Sequence, residues 1–311
     1  MTLWHVNCFY LNVRLIELAM YIEKFETIKS HPKDLRKRVI LMTDLDGTLM
    51  DANTFTYEAI KATVKEYLAD GINIILNSSK TAAEMDHLCH EFDYPFTYIC
   101  ENGAAIHNLN TIDQADPNLD DFQTIRGKPI TEIKSIWNEK IPSLLRDSCE
   151  FIGEMPRRKQ ISLLGLYGSE LDRAMQREYS EPLVFSGDEQ SFIQLLEACQ
   201  SVGLQINRGG RVCNLSAEHD KSSFTRALRS LKRYEENPAY IIALGDAPND
   251  IPMLEAADAA CIIPSKTNRS PMPRLSDRCS KTVIRSKSPA PKGWSEATDA
   301  ALGYFLEVTQ K

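Results

Sequence analysis

Two carboxylates one residue apart close the first strongly apolar run of the chain: Asp44 and Asp46 in "LMTDLDGTLMD", residues 41–51. Like charges that close repel, so the pair requires either a cation or a reaction that uses two carboxylates in different protonation states. A second acidic group, Asp246 and Asp250 with Asn249 between them, follows the apolar run "AYIIALGD" far downstream. Carboxylates and an amide, with no His or Cys at matching spacing, favour a hard cation such as Mg²⁺. "NSSKT" adds the hydroxyls of Ser78 and Ser79 after another apolar run, at a helix start, where backbone N–H groups favour phosphate oxygens. Lys221 can neutralise the same group. Two acids, a Mg²⁺ site, hydroxyl donors and a lysine are the parts of phosphoryl transfer through a carboxylate nucleophile.

These residues need a scaffold that brings distant segments together. "VILMTDL", "INIILNS" and "FTYICENGAAIH" read as strands, the last with a turn at Asn102-Gly103, and "TYEAIKATVKEYLAD" and "KTAAEMDHLCHEF" read as the helices between them. Alternating strands and helices with short connections imply an α/β fold, a Rossmann-like parallel sheet covered on both faces. The pattern resumes with helix "DKSSFTRALRSLKRY", strand "AYIIALGD", helix "NDIPMLEAA", strand "AACII" and a last helix "SEATDAALGYFLEV". Residues 264–293, rich in Pro, Ser, Lys and Arg, read as loop. In an open parallel sheet ligands bind beyond the carboxyl ends of the strands, so both acidic clusters are expected to face one crevice.

Between the two halves the texture changes. "NTIDQADPNLDDF" has the composition of a linker. Beyond it, "TEIKSIWNEKIPSLL" and "DEQSFIQLLEACQS" read as helices, and "KQISLLGLYG", "PLVFS", "GLQINR" and "RVCNLS" as strands of a separate sheet. The expected organisation is an extension over residues 1–38, a core over 39–112 and 217–311, and an inserted α+β cap over 113–216. In the extension, Leu11, Leu15, Leu18, Ile22 and Phe25 recur at helical spacing, while Asn7, Asn12, Arg14 and Glu17 interrupt any membrane span.

Composition narrows the partners. A formal net charge of −7, without a dominant basic face, argues against a nucleic-acid partner, and no segment reads as a membrane anchor. The eight cysteines are scattered, form no C-x-x-C pair and often sit in apolar runs, which implies reduced core thiols and a cytoplasmic protein. His87 and His90 lie three apart on a helix without a further ligand, and His219 precedes Asp220-Lys221 at the expected cap-to-core junction. Nothing in the sequence sets an oligomeric state.

D-x-D-G-T after one strand, Ser after the next, an isolated Lys and G-D-x-x-N-D, in that order, resemble the haloacid dehalogenase superfamily of phosphatases. The resemblance covers about residues 39–300. It implies that Asp44 is the nucleophile and that Asp46 protonates the leaving alcohol and then activates water. It implies that Gly47, Ser78 and Ser79 hold phosphate, that Thr48 supports the loop and that Lys221 orients Asp44. Mg²⁺ is implied on Asp44, the Asp46 carbonyl and Asp246, with Asp250 and Asn249 as ligands or in support.

"NSSKT", "ENGAAIH", "REYSEPLVF", "NRGGRVCNLSAEHDK" and "APKGW" further resemble the mannosyl-3-phosphoglycerate phosphatase family. That likeness implies a small sugar-phosphate substrate and formation of mannosylglycerate, a compatible solute. A glycerate carboxylate favours cationic recognition, for which Arg208 and Arg211 of "NRGGR" are candidates, and Lys80, Arg177 and Ser180 are candidates for substrate binding more generally. A helix cap or solvated lysine is the plain alternative for Ser79 and Lys80. Two other activities stay open: a phosphatase for the glucosyl analogue or another sugar phosphate, and a phosphomannomutase-like phosphotransferase.

Overall fold

The computed structural model describes residues 33–112, 122–208, 212–265, 272–276 and 281–309. The expected N-terminal helix, most of the linker and Arg211 lie outside them. The main sheet has seven strands in the order β11-β10-β9-β1-β2-β3-β4. Its strands are β1 (Val39–Thr43), β2 (Asn73–Asn77), β3 (Thr97–Cys100), β4 (Ala105–His107), β9 (Tyr240–Gly245), β10 (Ala259–Ile262) and β11 (Thr282–Arg285). All neighbours run parallel except the β3–β4 hairpin.

Alternation along the strands explains the layers. Val39 and Leu41 point to one face and Ile40 and Met42 to the other, and every residue of β1 is buried. Helices α1 (Glu58–Ala69), α2 (Ala82–Phe92) and α9 (Lys292–Thr309) cover the first face through Ile60, Val64, Met85, Phe92, Trp294 and Leu302. The shorter α7 (Thr225–Arg229) and α8 (Ile251–Ala256) cover the second through Leu228, Met253 and Leu254. A strand buried on both faces reads as a continuous apolar run, which is why the parallel sheet was legible.

A second, antiparallel sheet has the order β5-β6-β8-β7, with β5 (Cys149–Phe151), β6 (Ser180–Phe185), β7 (Leu204–Arg208) and β8 (Cys213–Ala217). Helices α3 (Ile130–Lys140) and α6 (Glu189–Gln200) pack Ile133, Trp137, Phe192 and Leu195 on Leu183, Ile206 and Leu215. The opposite face of these strands carries Ser180, Gln205, Asn214 and Ser216.

Three readings need correction. "KQISLLGLYG" is not a strand: α4 (Arg157–Leu164) begins after Pro156 and ends at Gly165 with φ 71°, and α5 (Gly168–Ala174) follows. The apparent alternation misled because no residue of α4 is buried, so its apolar positions record no face; the flanking Pro and Gly were the better signal. The stretch after 264 is not all loop, since Thr282–Arg285 pairs with β10 as a short edge strand. The helix expected from Asp220 starts only at Thr225, because Asp220 captures the Ser222 N–H and hydroxyl in a local turn.

The C-terminal helix reaches the end of β1. Buried Trp294 donates from Nε1 to Thr43 Oγ1 at 2.9 Å, and Thr43 Oγ1 donates to the Asp44 carbonyl at 2.7 Å. Trp294→Phe is expected to cost about 1–2 kcal/mol of stability by leaving a buried hydroxyl underbonded. Combined with Thr43→Val, the loss should be less than additive in denaturant melts; strict additivity would show that the two side chains act apart.

Candidate active site

The carboxyl ends of β1 and β9 lie side by side, with Thr43 registered on Leu244 and the Asp44 N–H donating to the Leu244 carbonyl at 3.0 Å. Asp44 therefore leaves the sheet beside Asp246, and a tight turn over Pro248–Asp250 brings Asp250 back beneath them. One carboxylate oxygen from each of Asp44, Asp246 and Asp250 lies within 4.8 Å of the others, and all three residues are buried. Close approach needs glycine at two points. A Cβ on Gly47, whose φ is 94°, would sit 2.4 Å from Asp246 Oδ2, and one on Gly245 would sit 2.5 Å from Asp250 Cβ.

Lys221, fully buried, bridges two of the acids: Nζ lies 2.5 Å from Asp44 Oδ1 and 2.7 Å from Asp250 Oδ1. The other Asp250 oxygen accepts the backbone N–H groups of Asp246 and Ala247 at 3.0 and 2.9 Å. Thr48 Oγ1 lies 3.3 Å from Asp246 Oδ1. Three carboxylates thus share one ammonium. Burial, and then the charge of Asp250, pushes the Asp44 carboxyl up to about 6 even against Lys221. Burial, followed by Asp44 and Asp250, pushes Asp246 up to about 8. Burial opposes the Lys221 charge, but Asp250 and Asp44 outweigh it and hold its pKa above the ordinary lysine value. A cluster this short of positive charge, lined by oxygen donors, fits a hard divalent cation.

Asp46 is not in that cluster. Its Oδ2 accepts from Lys80 Nζ at 2.8 Å, whereas its Oδ1 is buried without a hydrogen-bond partner. Ser78 is buried at the end of β2, its hydroxyl 3.3 Å from the Lys80 N–H. Ser79 is exposed and contributes its carbonyl to Arg177 Nη1 at 3.2 Å. The exposed Asn249 donates to Asn102 Oδ1 at 3.3 Å. Arg208 is held elsewhere in the second sheet's domain, paired with Glu189 at 2.8 Å and stacked 3.8 Å above Phe192.

Sequence reasoning missed Glu101. This residue is buried with φ 47°, and its carboxylate accepts the Glu178 and Tyr179 N–H groups at 2.9 and 3.1 Å and the Ser180 hydroxyl at 2.5 Å. Its carbonyl meets His219 Nε2 at 3.1 Å. Thr81, the cap of α2, donates to the Arg173 carbonyl at 2.8 Å. The segment 173–180 is therefore bonded to the same loops that carry Ser78 and Lys80. The only hint in the sequence was "ENGAAIH", whose Asn-Gly turn was read but whose acid was not.

The sequence matches haloacid dehalogenase-like hydrolases over residues 41–132 and 172–269, more than half of the chain. The chain belongs to that family. Among its relatives is a glucosyl-3-phosphoglycerate/mannosyl-3-phosphoglycerate phosphatase of Methanococcoides burtonii, 28% identical over 85% of this chain and 97% of that protein. Another of the same description, from Persephonella marina, is 27% identical over 83% and 95%. Among solved structures, a phosphatase of the haloalkanoate superfamily from Bacteroides thetaiotaomicron shares the fold at 19% identity and TM-score 0.53, over 86% of this chain and 94% of that one. A Thermotoga maritima protein does so at 13% and 0.55, over 85% and 96%. Among the described residues of this haloacid dehalogenase-like hydrolase, no helix is long and apolar enough to cross a membrane.

The strained carboxylates make a pH prediction. Both folded pKa values lie above the ordinary 3.8, so the folded chain retains protons that the unfolded chain releases. Without a cation, their contribution to stability is present below 3.8 and is lost as pH rises through about 6 for Asp44 and about 8 for Asp246. A divalent cation bound by these carboxylates would replace those protons. The rise in Tm on adding Mg²⁺ is expected to be larger at about pH 8 than at about pH 5; an equal or larger rise at the acid end would contradict this.

Proposed function

We propose that the chain is a Mg²⁺-dependent phosphatase that hydrolyses mannosyl-3-phosphoglycerate, or its glucosyl analogue, to the glycosylglycerate and phosphate. The observation that carries the reading is the buried Asp44–Lys221–Asp250 array beside Asp246 in a family of hydrolases whose near full-length relatives are phosphatases of these two substrates. Free thiols at the six described cysteines agree with a cytoplasmic setting.

In this reading Lys221 holds Asp44 Oδ1, and the other oxygen attacks phosphorus. The ester P–O bond breaks, an aspartyl-phosphate forms on Asp44, and Asp46 delivers a proton to the departing alcohol oxygen. Asp46 then takes a proton from the water that attacks the aspartyl-phosphate, which frees Asp44 and inorganic phosphate. The unpartnered Asp46 Oδ1 is the oxygen available for both transfers. Gly47, Ser78 and Ser79 supply phosphate contacts. Mg²⁺, held by Asp44, Asp246 and the Asp46 carbonyl with Asp250 and Asn249 in support, would neutralise charge on the transferring group. Arg177, Ser180, Arg208 and Arg211 are the proposed recognition residues of the cap, 113–216, inserted between core segments 39–112 and 217–311.

Phosphate release is to be measured with Mg²⁺ from mannosyl-3-phosphoglycerate, glucosyl-3-phosphoglycerate and mannose 6-phosphate. The glycosyl phosphoglycerates are expected to be preferred, and Asp44→Asn to lose about a thousandfold or more in kcat. Preference for mannose 6-phosphate would sink the substrate reading, and an active Asp44→Asn would sink the chemistry.

A further inference from the structure

Phe55 is an exposed aromatic residue whose backbone is in the left-handed region, with φ 54°. A bulky side chain there is a strained outlier, and glycine or asparagine would adopt the conformation at lower cost. The loop nevertheless fixes it. The Asp51 carbonyl accepts the Phe55 N–H at 2.9 Å, the Asp51 N–H donates to the Thr56 carbonyl at 3.1 Å, and Asp51 Oδ1 accepts the Asn53 and Thr54 N–H groups at 2.9 and 3.1 Å. Strain that the surrounding bonds over-determine points to a use for the side chain.

The ring stands beside the second anomaly of the site. Lys80 Nζ lies 5.5 Å from the Phe55 ring centroid and 2.8 Å from Asp46 Oδ2. An ammonium has three donors, and Asp46 is its one hydrogen-bond acceptor among the described residues. Lys80 stays partly open, with 22% side-chain exposure, and Phe55 is 43% exposed. Lys80, in contact with Asp46, and Phe55, beside Lys80, thus both meet solvent next to the proton donor.

Resting on the activity proposed above, we propose that Lys80 and Phe55 form the leaving-group subsite. Lys80 bridges Asp46 to a carboxylate carried on the leaving alcohol, and the Phe55 ring packs against the face of the attached sugar. The geometry suits a 3-phosphoglycerate unit, in which one carbon separates the ester-bearing carbon from the carboxylate. An ammonium in contact with the proton donor for the ester oxygen is within reach of that acid group. This makes Lys80 a specificity residue on the core, chosen by the chemistry of the substrate rather than by the transfer itself. Phe55 serves as an apolar platform for the sugar's C–H face.

The test compares phosphate release from mannosyl-3-phosphoglycerate with release from its analogue in which the glycerate carboxylate is reduced to a primary alcohol. The wild-type enzyme should prefer the acid by about 10–100-fold in kcat/KM, the range expected of a charged hydrogen bond. Lys80→Met should bring that ratio close to one, and Lys80→Arg should restore part of it. Phe55→Ala should raise KM for the mannosyl substrate with little change in kcat, and Phe55→Tyr should keep the wild-type value. If Lys80→Met slows both substrates equally and keeps the ratio, Lys80 only tethers Asp46 and the proposal fails. If Phe55→Ala lowers kcat alone, the platform fails. If wild type releases no phosphate from any glycosyl phosphoglycerate, the substrate reading itself falls and takes this inference with it.

Discussion

Three buried carboxylates sharing one ammonium set the terms for the rest of the structure. Asp44, Asp246 and Asp250 repel one another in a place where water cannot screen them, and Lys221 offsets only part of the repulsion. Such a cluster persists only if the backbone leaves it no escape. The parallel pairing of β1 with β9 keeps the two strand ends level, and the backbone N–H groups of Asp246 and Ala247, just before the turn at Pro248–Asp250, pin the third carboxylate. Gly47 and Gly245 remove the Cβ atoms that would push the acids apart. On the opposite side, Trp294 and Thr43 tie the C-terminal helix to the carbonyl of Asp44. The sheet is in this sense a device for holding charge where charge does not want to be.

Much of that device was legible in the sequence, for a local reason. Asp44, Asp46 and Gly47 occupy one turn, Asp246 to Asp250 another, and each follows a strand whose burial on both faces leaves an unbroken apolar run. The architecture of a parallel sheet then forces the two turns into one crevice. Elements that lack such a signature were misread. Helix α4 has no buried face and therefore no periodicity to detect, and β11 is a four-residue edge strand whose Val283 and Arg285 are exposed. The turn from Asp220 looked helical because a local side-chain bond that breaks a helix has the same residue types as one that caps it.

The junction between the two sheets was not legible. Glu101 gathers bonds from Glu178, Tyr179, Ser180 and His219, residues about 80 to 120 positions away. No period or spacing marks such a residue. Its positive φ is visible only in the structure, and so is the strain at Phe55. Both outliers are non-glycine residues kept in a costly conformation by several hydrogen bonds, and both border the loop that carries Ser78 and Lys80. Glu101 donates its N–H to the Lys80 carbonyl at 2.9 Å, while Arg177 reaches the carbonyl of Ser79.

The placement of these outliers separates two tasks within one crevice. Moving a phosphoryl group requires charges that are fixed before the substrate arrives, and the residues suited to it are buried, glycine-flanked and set on strand ends. Choosing a substrate requires groups that meet solvent first and can change partners. Lys80, Arg177 and Phe55 meet solvent in that way, half-buried or exposed and drawn from loops rather than strands, as the proposed recognition roles require. Lys80 touches both sets, since its ammonium is bonded to Asp46 and its peptide to Glu101, which is bonded in turn to segment 178–180. Glu101 in this way joins the loop of Lys80 to segment 178–180, beside the bonds from Thr81 to the Arg173 carbonyl and from Arg177 to the Ser79 carbonyl.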